Sequence, residues 1–263
     1  MNRIDTKFSA LREAKQKGFI AYICAGDPSL VATAALAHAF ERVGVDVLEL
    51  GVPFSDPLAD GVVNQLAAER ALRSGATLGG VLKTVAALRK RNCQVPIVLY
   101  IYFNLIHRHG VKQFARDAAA AGVDGALALD LPPEEAAAYE EAMQRSGVHP
   151  IYLIAPTTPE KRVRKIARHA SGFVYYVSRE GVTGMQKTIS SSIKPAVRMI
   201  RKHTTWPIAV GFGISTPQQA HAVAATADAV VVGSAIVNQI AGGRTPKHVA
   251  RFAAAMVKAV KKL

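Results

Sequence analysis

The chain has 263 residues, half of them apolar and a fifth charged, enough to bury one large core. No apolar run approaches the ~18 residues of a membrane span, and the charged start MNRIDTKFSALREAKQKG lacks a signal peptide's apolar centre. Two cysteines, Cys24 and Cys93, make neither a disulfide framework nor a zinc site, so a reducing cytoplasm is the expected setting and no metal is expected.

The net charge of +14 is lopsided. Residues 1–150 hold 16 basic and 16 acidic side chains, while residues 151–263 hold 17 and 3. Much of the excess falls on helix-like segments such as Glu160–His169, which read as solvated faces. No aromatic residues interleave the basic clusters as a single-strand binder requires. Neither a nucleic acid nor a membrane is expected as a partner.

In chain order, Ile4, Phe8 and Leu11 recur at helical spacing and predict a short N-terminal helix. FIAYICA from Phe19 is the first strand, followed by a helix over Leu30–Val43. VDVLEL from Val45, PIVLYIY from Pro96 and GALALD from Gly125 are strands two to four, with helical segments at Leu66–Arg91 and Val111–Ala121 between them. A helix at Glu134–Ser146 leads to HPIYLIA from His149, and one at Glu160–His169 leads to GFVYYVS from Gly172. Helices at Ser192–His203 and Pro217–Thr226 flank PIAVGF from Pro207, and DAVVVG from Asp228 is the eighth strand before a last helix at His248–Lys262. The strands are almost continuously apolar, as in a parallel sheet covered by helices. Eight strand-then-helix units without a composition break predict an α/β fold, a single (β/α)8 TIM barrel over residues 1–263.

Such barrels place their chemistry on the loops at the C-terminal ends of the strands. Long connections follow strand two (Gly51–Gly61) and strand six (Arg179–Ser191). Glycine-rich turns follow strand seven (GFGIS, Gly211–Ser215) and strand eight (GSAIV, Gly233–Val237). Glycine lets backbone approach a ligand, and a helix start offers unpaired N–H groups. The two turns predict a phosphate site, with Ser234 at the start of a short helix (Ala235–Gln239) and GVTG (Gly181–Gly184) as a third arm.

ELGVPFSDPLADG (Glu49–Gly61) ends the second strand on one carboxylate and brings round another, Asp60. A charge among aliphatic residues is costly without a partner or a task, and two such carboxylates can have their pKa values driven apart for acid/base work. Asp60 could instead cap a turn, Asp56 shape the loop or face a partner, and Asp130 cap the helix after it. Of Tyr175 and Tyr176 only one faces the barrel interior. His107 and His109 read as loop residues after strand three.

Those motifs, with AGDPS (Ala25–Ser29), YFN (Tyr102–Asn104), DLPPEE (Asp130–Glu135) and SREGVTG (Ser178–Gly184), closely resemble the tryptophan synthase alpha subunit family over nearly the whole chain. The resemblance implies a lyase that splits indole-3-glycerol phosphate into indole and glyceraldehyde 3-phosphate. It implies no cofactor in this chain, and a beta subunit carrying pyridoxal phosphate as partner in an α2β2 complex. It makes Glu49 the general acid/base, Asp60 the acceptor of the indole N–H, and Tyr175 an active-site tyrosine. It assigns Gly184, Gly213, Gly233 and Ser234 to the phosphate, and Tyr22, Leu127 and Phe212 to the indole pocket, with Leu99 or Tyr100 as further candidates. Thr183 corresponds to the residue that orients the Asp60 loop on closure. Phe54, Asp56, Pro57 and Asn104 fall on the partner face.

The chain departs from the family pattern on that face. Val62 and Leu105 stand where the family usually has proline, and Asn64 where it often has isoleucine. Altered coupling to the beta subunit is expected. A free-standing indole-releasing lyase and a non-catalytic phosphate-binding regulatory barrel are the alternative readings.

Overall fold

A computed structural model describes residues 2–178, 193–211 and 213–262. Its eight strands are β1 (Gly18–Cys24), β2 (Val47–Gly51), β3 (Ile97–Ile101), β4 (Gly125–Ala128), β5 (His149–Ile154), β6 (Val174–Val177), β7 (Ile208–Gly211) and β8 (Ala229–Val232). They pair in parallel and in sequence order, and β8 returns to β1 to close the barrel. Every residue of β1, β2, β4, β7 and β8 is buried, which is why these strands read as unbroken apolar runs.

Helix α1 (Arg3–Glu13) starts at Asn2, whose side chain accepts from Ile4 N at 2.9 Å and donates to Asp124 O and Gly147 O at 2.8 and 2.9 Å. Those two bonds hold α1 under the barrel. Its Ile4, Phe8 and Leu11 join Ile20, Val47, Val98, Leu127, Ile151, Phe173, Ala209 and Ala229 in an inner core that plugs the N-terminal end.

The outer layer follows the strands. α2 (Leu30–Arg42) comes after β1, α3 (Val62–Arg73) and α4 (Leu78–Lys90) after β2, and α5 (Phe103–His109) and α6 (Val111–Ala121) after β3. α7 (Ala137–Arg145), α8 (Glu160–His169), α9 (Ile193–Arg201) and α10 (Pro217–Ala224) precede β5 to β8 in turn, and α11 (Ser234–Ala241) and α12 (Pro246–Val260) complete the chain. Side-chain caps mark several starts: Ser29, Thr77 and Thr245 each accept a backbone N–H of the first turn. Thr216 and Gln219 form a reciprocal capping box at α10.

Three expectations are corrected. The segment Leu66–Arg91 is two helices, because Gly75 at φ +81° reverses the chain and Thr77 caps a new start. His107 and His109 lie in α5 rather than in a loop, and His109 Nε2 pairs with Asp117 Oδ2 at 2.7 Å. Asp130 does cap a helix, but it is α5 of the preceding unit: Oδ1 accepts from Phe103 N at 2.6 Å.

A repeated device closes the N-terminal end. Asp46, Asp124 and Asp228 stand just before β2, β4 and β8, and each accepts the backbone N–H that opens the preceding strand or its flank. The donors are Phe19 N at 2.9 Å, Ile97 N at 2.8 Å and Ile208 N at 2.9 Å. Cations close on the same carboxylates: Lys261 on Asp46 at 3.0 Å, Arg89 on Asp124 at 2.8 Å and Arg201 on Asp228 at 2.8 Å. Part of the basic excess therefore belongs to the scaffold.

Candidate active site

The C-terminal ends of β1, β2, β3 and β6 bring one carboxylate pair and four tyrosines together. Glu49, inward-facing on β2, is 1% exposed, and its Oε1 has no hydrogen-bond partner. Burial, reinforced by the charge of Asp60, pushes its pKa from 4.5 up to about 8. An orphaned, buried carboxyl oxygen at a barrel mouth is costly in the resting fold, which points to a ligand that completes it.

Asp60 ends the loop after β2, where its backbone N–H donates to Pro57 O at 3.0 Å. Its two oxygens are held separately. Tyr100 donates to Oδ1 at 3.0 Å and Tyr102 to Oδ2 at 2.9 Å, while Tyr102 also accepts from Ala59 N at 2.9 Å. Gln65 ties the Asp60 carbonyl to α3 at 2.8 Å. Burial raises the Asp60 pKa, and the bonds from Tyr102, Tyr100 and Asn64 pull it back down. The two carboxyls thus differ in kind: Glu49 is desolvated and poorly partnered, Asp60 desolvated but met by donors. α3 is fixed to the β1 loop by Arg70, whose Nε and Nη2 donate to the two oxygens of Asp27 at 2.9 and 2.7 Å.

The tyrosine question is resolved by the strand alternation. Tyr175 packs in the inner core and Tyr176 in the outer one. Tyr175 lies over Gly211, where a Cβ would come within 2.5 Å of its hydroxyl. Tyr22 lies over Gly51 in the same way, at 2.4 Å, and meets Tyr100 edge-on at 5.1 Å. Leu127 is buried on the inner face of β4, and Leu99 turns outward into the helix layer. Burial first, and then the charges of Glu49 and Asp60, raise the Tyr175 pKa well above 10.

Across the mouth, Gly213 (φ +73°) and Ser234 are exposed and Gly233 half-exposed. Gly233 precedes α11, and no side chain caps that helix. Phe54 packs on Tyr102 with ring centroids 5.1 Å apart. Asp56 and Asn104 are exposed and Pro57 half-exposed. Around them stand Leu58, Val62 and Leu66, which are 90, 60 and 49% exposed. Thr183, Gly184 and Phe212 lie outside the described residues.

The sequence reading gave Asp60 no holder. Tyr100 and Tyr102 are two residues apart at the end of β3 and therefore share a face. That spacing was the available signal.

Two buried carboxyls in contrasting environments at the C-terminal mouth of a (β/α)8 barrel, one unpartnered and one met by donors, opposite glycine turns, define an acid/base barrel enzyme of the phosphate-binding kind. The family model for the tryptophan synthase alpha chain matches residues 8–263. The tryptophan synthase alpha chain of Opitutus terrae is 52% identical over 240 residues, covering 91% of this chain and 90% of the relative. That of Geobacter sulfurreducens is 50% identical over 263 residues, covering 99% of each. A Legionella pneumophila tryptophan synthase alpha subunit superposes with a TM-score of 0.88 at 37% identity, covering 99% of this chain and 98% of that one. A Mycobacterium tuberculosis tryptophan synthase structure gives 0.92 at 32% identity, covering 99 and 98%.

The chain belongs to the tryptophan synthase alpha chain family. It is a lyase of tryptophan biosynthesis, in a family that cleaves indole-3-glycerol phosphate, carries no cofactor and works with a beta subunit holding pyridoxal phosphate. No helix among the described residues is long and apolar enough to cross a membrane.

Proposed function

We propose that Glu49 and Asp60 divide the cleavage of indole-3-glycerol phosphate between them in one barrel domain spanning residues 1–263. The protonated Glu49 carboxyl donates its proton to indole C3, and Asp60 accepts the indole N–H as positive charge spreads onto the ring. Glu49, now a carboxylate, takes the proton of the glycerol hydroxyl. The C–C bond then breaks to leave an aldehyde and neutral indole. The proton given is the proton regained, so the cycle needs no external acid. A pKa near 8 suits both halves, because neither protonation state is far from reach at neutral pH.

Tyr22 and Leu127 form walls of the indole slot, Tyr175 packs beside Glu49, and the N–H groups at Gly213, Gly233 and Ser234 receive the phosphate with Gly184. The apolar rim of Leu58, Val62 and Leu66, beside Phe54, Asp56, Pro57 and Asn104, suits the beta subunit. A solitary exposed apolar side chain means little, but three beside the Asp60 loop make a patch. Free, buried Cys24 and Cys93 fit a cytoplasmic setting.

The observation that carries the reading is the unpartnered Oε1 of Glu49 beside the tyrosine-held Asp60. Its test is cleavage of indole-3-glycerol phosphate by the chain alone, by the chain with a beta subunit, and by Glu49→Gln. Slow turnover alone, stimulation by the partner and a loss of roughly 10²–10⁴ in the variant support it. Undiminished turnover in Glu49→Gln would refute the assignment of the acid. Fast turnover that ignores the partner would remove the beta subunit from the reading.

A further inference from the structure

At the opposite end of the barrel from the catalytic mouth, three side chains from two segments converge in a group the reaction does not use. His38 and Glu41 are one turn apart on α2, so they share a face. Cys93 stands on the turn between α4 and β3. One nitrogen of His38, one oxygen of Glu41 and the Cys93 sulfur all lie within 4.8 Å of one another. His38 and Glu41 are half-buried and Cys93 is wholly buried.

We propose that His38, Glu41 and Cys93 form a binding site for a zinc-class divalent cation, with water as the fourth ligand. The donor set of thiolate, imidazole and carboxylate is the mixture that zinc and its softer relative cadmium prefer. Metal–ligand distances of about 2.0–2.3 Å put the edges of a zinc tetrahedron at roughly 3.3–3.7 Å. From separations of at most 4.8 Å the three atoms therefore need to close by up to about 1.1–1.5 Å. The freedom to do so lies with His38, whose ring makes no hydrogen bond among the described residues.

Glu41 is already oriented from behind. Its Oε1 accepts from Gln94 N at 2.5 Å and from Val95 N at 3.0 Å, the two amides that follow Cys93. Such outer bonds fix a ligand's direction in metal sites. The nearby Arg89 guanidinium is engaged elsewhere: Nη1 donates to the carbonyls of Cys93 and Val95, and Nη2 to Asp124. Loading replaces the thiol proton by the metal, and that proton leaves to solvent. The bound ion would clip α2 to the turn that opens β3, a structural role remote from the chemistry. The two segments are more than fifty residues apart in sequence, so no spacing motif announces the site.

The test is titration of the chelator-stripped, tag-free chain with Cd²⁺, followed by its ultraviolet sulfur-to-metal charge-transfer band, and then displacement by Zn²⁺. One equivalent with a thiolate band, reversed by zinc, is expected. His38→Ala, which touches no catalytic group, is expected to weaken binding by at least the roughly 10–100-fold that outer-shell partners cost. It should also abolish the zinc-dependent rise in unfolding temperature while leaving metal-free cleavage of indole-3-glycerol phosphate unchanged. Cys93→Ser should remove the band. Absence of saturable binding, a band that survives Cys93→Ser, or undiminished affinity in His38→Ala would each overturn the proposal. The last of these stands even if the buried serine variant fails to fold.

Discussion

Replacing Tyr100 by phenylalanine removes one hydroxyl and leaves the ring that packs against Tyr22. The hydroxyl is one of two that meet the Asp60 carboxylate, at 3.0 Å on Oδ1, with Tyr102 at 2.9 Å on Oδ2. A hydrogen bond to a charged group contributes about 1.5–3 kcal/mol. Its loss shifts the proton equilibrium of Asp60 towards the neutral acid by roughly ten- to a hundred-fold. The direction follows from what the bond favours: donation stabilises the ionised form and lowers the pKa, so removal raises it. If Asp60 must be ionised to receive the indole N–H, the acid limb of kcat/KM moves to higher pH, and activity lost at mildly acidic pH returns on the alkaline side. The assay is kcat/KM for indole-3-glycerol phosphate across pH, which reports groups of the free enzyme. Tyr102→Phe is the companion variant. It should move the limb the same way and also lower kcat, because Tyr102 in addition holds Ala59 N. Acid limbs that coincide with the wild type in both variants would show that the tyrosines do not govern the ionisation of Asp60, and the reasoning would fail.

Other outcomes follow from the same geometry. Because the folded pKa of Glu49 is raised from 4.5 to about 8, the folded state holds this proton more tightly than the unfolded chain. Its contribution is whole below pH 4.5 and is lost as pH rises through about 8, at up to about 1.4 kcal/mol per pH unit between. Glu49→Gln should therefore gain stability over the wild type progressively from pH 5 to pH 9 in urea titrations, and a pH-independent difference would contradict the burial argument. Gly211→Ala places a Cβ 2.5 Å from the Tyr175 hydroxyl and 2.8 Å from Val231 Cβ. The overpacking should cost about 1–3 kcal/mol in denaturant unfolding and lower kcat as Tyr175 is displaced. Val62→Pro puts proline at the first position of α3, after Gly61 at φ −74°, ψ 160°, a conformation that a following proline accepts. It should stabilise by about 0.4–1 kcal/mol and change stimulation by the beta subunit; an unchanged response would argue against a role for this departure in coupling.

The barrel was legible because its strands are buried on both faces, which leaves uninterrupted runs such as AVVV at β8. Glu49 was legible for the converse reason, as a charge inside such a run. What escaped was mostly tertiary. The break after Ser74 is set by the left-handed φ of Gly75, and Thr77 then restarts the helix. Capping of the helix after it was one open role for Asp130, but parallel strands place it beside the start of α5. Tyr100 reads as an indole-pocket candidate and Tyr102 as a motif residue, although their spacing puts both on the face that Asp60 approaches. The metal-ligand group needed α2 and the α4–β3 turn side by side, and no local pattern records that proximity.

The aspartates beneath the barrel carry an arithmetic of their own. Each ties an odd strand to the even strand that follows it: β1 to β2, β3 to β4, and β7 to β8. In the remaining pair, His149 at the start of β5 meets Ser171 before β6 at 2.9 Å. The repeating part is thus two strands long, and the barrel is a ring of four doublets with its joints between them. New termini opened at a joint, such as the turn from α4 to β3, leave each of these four strand-pair ties inside an unbroken piece of chain, although the Arg89–Asp124 ion pair then spans the two ends. Termini opened between β3 and β4 make Asp124 hold Ile97 from the far end of the polypeptide. Circular permutants cut at the joints should accordingly refold faster than permutants cut within a doublet, even where the finished barrels are equally stable.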